Sequence, residues 1–280
     1  MRSWIFLLQC RDQKGIVAKV SDCIVRLSGN IIILDQYSTD PQGGYFFMRV
    51  EFMTEEKLHD KDSLSSEFDS AVRQFNGTSA LHAKEEVLRM GIVVSRPDHC
   101  LFELLYLWRT GELSVTIPFV ISNFQGHREL VERFGVPFHF LAADKSNRKE
   151  EELLALVKSS ADFLVLARYM LILTGDFLAR FGKDIINIHH GFLPSFKGAH
   201  PYRQALTEGV KVIGATAHFV NENLDAGPII AQAVEPVSHK DDLASLVRKG
   251  KNSEKRALSY ALNAYLDRRI FRFQNKTVVF

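Results

Sequence analysis

Cysteine is scarce in this chain: only Cys10, Cys23 and Cys100 among 280 residues. They are odd in number, far apart and outside any zinc-binding spacing. A disulfide-stapled secreted domain is therefore excluded, and free, buried thiols in a reducing compartment are expected. One-signed charge is equally scarce, since 35 Lys and Arg oppose 33 Asp and Glu for a formal net charge of +2. That balance excludes wholesale attraction to nucleic acid or to an anionic membrane, so an anionic ligand would need a local site. Long hydrophobic runs are missing too. The apolar stretch at residues 4–8 is too short to span a bilayer and gives way to Arg11 and Asp12, so it reads as a first strand and the protein as cytoplasmic. No Gly-x-Gly-x-x-Gly follows a strand, which argues against a dinucleotide-binding oxidoreductase. There is no internal repeat and no low-complexity tract.

What is present is an ordinary globular composition, 46% hydrophobic, over a length that suits two domains, since domains commonly run ~100–200 residues. The first eighty or so residues alternate clearly. A strand at 4–9 leads through the polar turn Arg11-Asp12-Gln13-Lys14-Gly15 into a helix at 16–28, with Ile16, Val20, Cys23, Ile24 and Leu27 at helical spacing. Gly29-Asn30 is expected to cap that helix. Strands at 31–37 and 45–52 flank the turn at 40–44. A second helical stretch beginning after Lys57 carries Leu64, Phe68, Val72 and Phe75, and a short strand is expected near 80–84. Strand, helix, two strands, helix, strand is the split βαβ order of a ferredoxin-like α+β domain.

A short charged seam, Ala83-Lys84-Glu85-Glu86, separates this pattern from a second one, so the expected domains are 1–84 and 85–280. Beyond the seam apolar strands alternate with amphipathic helices, as βαβ units do. Strands are expected at 87–95, 117–122, 138–141, 163–167, 185–189 and 212–220, and helices at 100–110, 128–134, 150–159, 176–181 and 241–268, with a last edge strand at 277–280. The unbroken apolar run Phe163-Leu164-Val165-Leu166-Ala167 implies burial on both faces, hence a mainly parallel, Rossmann-like sheet and an α/β chain overall. Ligands of such sheets bind beyond the carboxyl ends of the strands.

One such end carries Asn187 and His189, separated by a single apolar residue, so both side chains share a face of their strand. Asp225 follows the next strand and precedes the turn pair Gly227-Pro228. An Asn can donate to an oxyanion, a His can move a proton, and an Asp can orient the imidazole. Spacing alone equally allows these groups to serve loop backbone. His190 and His218 read as structural histidines, with His200 near the far end of any ligand.

The run Asn187-Ile188-His189-His190-Gly191-Phe192-Leu193-Pro194-Ser195-Phe196-Lys197-Gly198-Ala199, together with Leu224-Asp225-Ala226-Gly227-Pro228, resembles the signature of the folate-dependent formyltransferase family. The resemblance implies Asn187, His189 and Asp225 as the catalytic group and 10-formyltetrahydrofolate as the small-molecule substrate. It implies a folate slot at Met170, Ile172 and Leu173, within Leu166-Ala167-Arg168-Tyr169-Met170-Leu171-Ile172-Leu173, and neither a metal nor a tightly bound cofactor. The front domain resembles the ACT family of regulatory modules through Asp12-Gln13-Lys14-Gly15-Ile16-Val17-Ala18 and Gly29-Asn30-Ile31. That likeness implies an amino-acid effector near Asp12, Gly15 and Asn30, and a homodimer or homotetramer. The loop Ser95-Arg96-Pro97-Asp98-His99-Cys100 has no glycine to cradle the phosphate of an acceptor substrate, and Asp98 would repel one. Water is then the implied acceptor, with formate and tetrahydrofolate as products and a role in balancing one-carbon units and supplying formate for purine synthesis. Transfer to an amine, and a catalytically silent amino-acid-binding regulator, are the alternatives.

Overall fold

A computed structural model describes residues 1–40, 42–55, 60–195 and 201–280, with Pro201 described in its backbone alone. The chain divides into two compact units. One holds Met1–Glu86, Asp267–Phe273 and Val278–Phe280, and the other holds Val87–Leu266 and Gln274–Thr277. The last residues of the chain thus belong mostly with the first unit, whereas the sequence pattern assigns all of 85–280 to the second.

In the first unit β1 (Arg2–Arg11), α1 (Ile16–Arg26), β2 (Asn30–Ser38), β3 (Tyr45–Thr54), α2 (Lys61–Val72) and β4 (Thr78–Ala83) follow in order. The sheet order β2-β3-β1-β4, antiparallel at each step, is the ferredoxin-like arrangement. Alternation makes the core: Trp4, Phe6 and Leu8 of β1 and Met48, Val50 and Phe52 of β3 meet Ile16, Val20 and Ile24 of α1 and Leu64 and Phe68 of α2. The end of α1 departs from expectation. Ser28 takes the left-handed cap (φ 53), while Gly29 donates to Ile24 O at 2.9 Å, where any Cβ would press on Ile24.

The second unit comprises β5 (Leu88–Val94), α3 (His99–Arg109), β6 (Val115–Thr116), β7 (Val120–Ser122), α4 (Arg128–Arg133), β8 (Phe138–Phe140), α5 (Glu150–Val157), β9 (Phe163–Leu166), α6 (Gly175–Phe181), β10 (Ile185–His189), α7 (Pro201–Thr207), β11 (Val212–Phe219), β12 (Ile229–Pro236) and α8 (Leu243–Leu266). The sheet runs β12-β11-β10-β9-β5-β7-β8, with β6 beside β5. β10, β9, β5, β7 and β8 are parallel, and β11 and β12 are antiparallel additions at one edge. The strand expected at 117–122 is confined to β7 at 120–122, past Pro118, which has no N–H to give a ladder, and β6 precedes it at 115–116. α7 and β12 have no periodicity strong enough to announce them. β13 (Ile270–Phe273) and β14 (Lys276–Val279) form a separate two-stranded sheet, so the final segment does not extend either larger one. Among the described residues no helix is long and apolar enough to cross a membrane.

The chain leaves β5 toward β7 and β8, then crosses back to place β9 on β5's other side. Such a reversal opens a crevice at the carboxyl ends of the strands. The segments that follow β9 and β10 border it.

Candidate active site

Ile186 and Ile188 of β10 are buried, and the alternation leaves Asn187 and His189 together on the other face. β11 lies antiparallel beside them with Asn187 opposite His218 and His189 opposite Thr216. Residues directly opposite share a face, so β11 adds its own polar pair to the same side. The Nδ1 of His218 is 2.9 Å from Phe219 O, which can only accept, so Nδ1 carries the proton. Its Nε2 then accepts from Asn187 Nδ2 at 3.1 Å. Thr216 Oγ1 donates to Gly191 O and accepts from Leu193 N, pinning the loop that leaves β10.

Asp225 sits in the loop after β11 with a left-handed backbone (φ 51), which an aspartate tolerates better than most residues. The loop closes where Phe219 N donates to Pro228 O at 3.0 Å, and Gly227 there leaves no space for a Cβ against Phe219 O. Asn275 Nδ2 donates to Ala226 O at 3.1 Å from outside the loop. Held this way, Asp225 puts Oδ2 3.2 Å from His189 Nδ1 and Oδ1 3.7 Å from His218 Nε2. Burial raises the cost of ionising Asp225, yet hydrogen bonding from His189, with His218 nearby, outweighs it and holds the carboxyl well below the usual carboxylate range. His189 is buried, and its Nε2 has no partner among the described residues. Burial, with Arg168 and His189 nearby, pushes His190 down to about 3, so that ring is neutral at physiological pH.

These groups line a cavity of about 410 Å³ whose other wall comes from 168–173. Met170 N donates to Ser95 Oγ at 3.0 Å, and Ser95 N to Arg168 O at 3.2 Å, fastening this segment to the end of β5. Met170 and Ile172 are about half exposed into or around the opening, 52% and 49%, while Leu173 is buried at 7%. Apolar walls with a few convergent polar groups suit a small-molecule ligand. The two sets of residues read from the sequence in this unit, Asn187, His189 and Asp225, and Met170, Ile172 and Leu173, therefore border one cavity.

The residues named for an effector are not brought together. Gly15 has the positive φ (90) of a tight turn, and Asp12 accepts from Ser38 Oγ at that end of the sheet. Asn30 pairs with Met53 at the opposite end, because β2 runs parallel to β1 and starts beside its beginning. His200, with the rest of 196–200, lies outside the described residues.

His218 reads as structural in the sequence, and the structure puts it in the site. The signal for it lies in the pattern: Thr216 and His218 alternate with buried Ala215 and Ala217 as Asn187 and His189 alternate with isoleucines. Arg168 and Glu254 also escape the sequence reading. Among the described residues His99, Cys100 and Glu254 bring possible ligand atoms within 4.8 Å of one another, but Arg168 Nε, 3.1 Å from Glu254 Oε2, already supplies a fixed cation there.

Residues 88–262 match the formyl transferase family. The chain is 46% identical over 277 residues to formyltetrahydrofolate deformylase of Bacillus subtilis, covering 98% of this chain and 92% of that one. It is 42% identical over 285 residues to mitochondrial formyltetrahydrofolate deformylase 1 of Arabidopsis thaliana, covering 99% and 88%. A crystal structure of a formyltetrahydrofolate deformylase from Pseudomonas syringae superposes with a TM-score of 0.95 at 41% identity, over 100% of this chain and 95% of the other.

Proposed function

Because the chain belongs to the formyltetrahydrofolate deformylase family, a family of hydrolases, we propose that it hydrolyses 10-formyltetrahydrofolate to tetrahydrofolate and formate. The observation that carries the mechanism is the contact of His189 Nδ1 with Asp225 Oδ2 at 3.2 Å while His189 Nε2, buried, has no protein partner among the described residues. An imidazole held this way has one nitrogen committed and one free to exchange a proton.

The pterin lies against Met170, Ile172 and Leu173, with the formyl carbon between Asn187, His189 and Asp225. Water attacks that carbon and His189 Nε2 takes the proton. The resulting imidazolium, stabilised by ionised Asp225, faces the oxyanion together with the Asn187 N–H that His218 does not use. The bond from the carbon to the folate nitrogen then breaks, and His189 returns its proton to that nitrogen. Asp225 is too strongly ionised to serve as the main base, so it orients His189 and holds the attacking water. This chemistry calls for no metal or tightly held cofactor.

The first unit acts as a regulatory module in this reading, taking a small amino acid at the Asp12 and Gly15 turn. Asn30, at the sheet's other end, would complete such a site only from a second copy in a homodimer or homotetramer. Released formate and the freed folate balance the one-carbon pool and feed purine synthesis.

The test is formate release from 10-formyltetrahydrofolate with water as the only acceptor. Release at a rate independent of added amine supports hydrolysis, whereas turnover that begins only when an amine is supplied would favour transfer. Asn187→Ala should lose about 10²–10³ in kcat.

A further inference from the structure

A formyl carbon activated beside Asn187 and His189 is open to any nucleophile that reaches it, and an amine is a better one than water. Hydrolysis therefore requires that amines be kept out. Arg168, whose backbone is left-handed (φ 69), lines the same cavity as His190. Glycine adopts that conformation freely and arginine does not, so the side chain is retained against a conformational cost.

What the side chain does is plain from its surroundings. Arg168 Nε stands 3.1 Å from Glu254 Oε2 in an ion pair, and the two side chains are 11% and 1% exposed. His99 Nε2 donates to the same oxygen at 2.8 Å, and Tyr202 OH to Oε1 at 2.6 Å. α8 carries Glu254 this close because Gly250, one turn earlier, leaves room for the Tyr202 ring, into which any Cβ would run. Tyr202 meets His190 edge-on with centroids 6.0 Å apart, and His190 lies 5.2 Å from His189. A continuous packed chain thus runs from Glu254 through Tyr202 and His190 to His189. Stability does not account for it, since well-packed apolar residues generally serve as well as a buried ion pair.

We infer that Arg168, held by Glu254 with His99 and Tyr202 behind it, fills the side of the reaction centre from which an amine would approach, and so reserves the formyl carbon for water. Glu254, the carboxylate that could attract an amine-bearing acceptor, has its oxygens taken by three partners. The inference rests on the hydrolytic reading above. Opening this wall would let an amine nitrogen bond to the formyl carbon as the bond to the folate nitrogen breaks, one proton passing from amine to folate nitrogen.

The experiment compares the intact chain with Arg168→Gly/Glu254→Gln, which removes both charges together and relieves the left-handed backbone. Each is given 10-formyltetrahydrofolate and excess glycinamide, and N-formylglycinamide and formate are quantified in the same single-turnover reaction. The intact chain should yield formate alone, and the variant should raise the N-formylglycinamide fraction about tenfold or more. Because the readout is a ratio, a loss of total rate does not obscure it. Arg168→Gly alone, read the same way, serves if the double variant does not fold. An unchanged ratio in the folded variant overturns the inference. An intact chain that releases no formate without glycinamide instead overturns the hydrolytic reading.

Discussion

Asn187 donates from Nδ2 to His218 Nε2 across 3.1 Å, so its amide is oriented by a histidine of the neighbouring strand. The pairing is a consequence of the β10–β11 register, which sets these two residues directly opposite. It also fixes which amide hydrogen is spent on His218.

His218→Ala should therefore reduce kcat chiefly through Asn187. A reacting group displaced by about an ångström costs on the order of 10² in rate, and kcat should fall by about that factor with KM little changed. Steady-state kinetics beside Asn187→Ala checks it. The double variant should be barely worse than Asn187→Ala alone, since both changes remove one interaction. Additive losses would separate the two residues.

Asp225 gives a pH-dependent signature. Its folded-state ionisation lies below its unfolded one, so the stability it contributes is present above the ordinary aspartate value and lost as pH falls through the lower, folded value. Asp225→Asn should therefore be less stable than the intact chain at neutral pH, by a margin that is flat down to about pH 5 and narrows below about pH 4. Urea unfolding of both proteins across that range measures it. A margin that widens on acidification would contradict the interaction with His189.

Local rules make much of this legible. The period-2 alternation of β10 identifies Asn187 and His189 as partners, and the apolar run in β9 identifies a buried parallel strand. What stays hidden depends on long-range register and packing. His218 becomes a partner of Asn187 only because β11 turns back antiparallel, and Glu254 reaches Arg168 only through the placement of α8. Local chemistry also errs where two neighbours could each end a helix. Gly29 draws the expected left-handed cap, but Ser28 adopts it and Gly29 supplies space instead. The effector residues are grouped by likeness, and strand direction separates Asp12 from Asn30.

His190 shifts in the same direction as Asp225 but acts at higher pH. Burial first, then the proximity of Arg168 and His189, pushes it down to about 3, below the value it takes in an unfolded chain. Between about pH 6.5 and that value the unfolded chain binds a proton that the folded chain refuses, so stability falls with falling pH. His190→Gln removes this contribution and should gain on the intact chain on acidification, by up to about 1.4 kcal/mol per pH unit below 6.5. Unfolding at pH 7.5 and pH 5.5 reads it directly, and a constant difference would mean that His190 titrates normally.

The cavity wall separates binding from folding. Met170 and Ile172 are about half exposed, so trimming them removes little from the core, whereas Leu173 is 7% exposed and packs with Phe177 and Tyr169. Met170→Ala and Ile172→Ala should each leave thermal stability within about 0.5 kcal/mol of the intact chain. If these side chains cover a pterin, each should raise KM by about tenfold, the loss expected for roughly 1.4 kcal/mol of apolar contact. Leu173→Ala should do the reverse, costing about 2–5 kcal/mol of stability through the cavity it leaves, with a smaller effect on KM in the protein that remains folded. Thermal unfolding and Michaelis curves on all three variants decide it. Unchanged KM in both Met170→Ala and Ile172→Ala would move the substrate's rings elsewhere in the cavity.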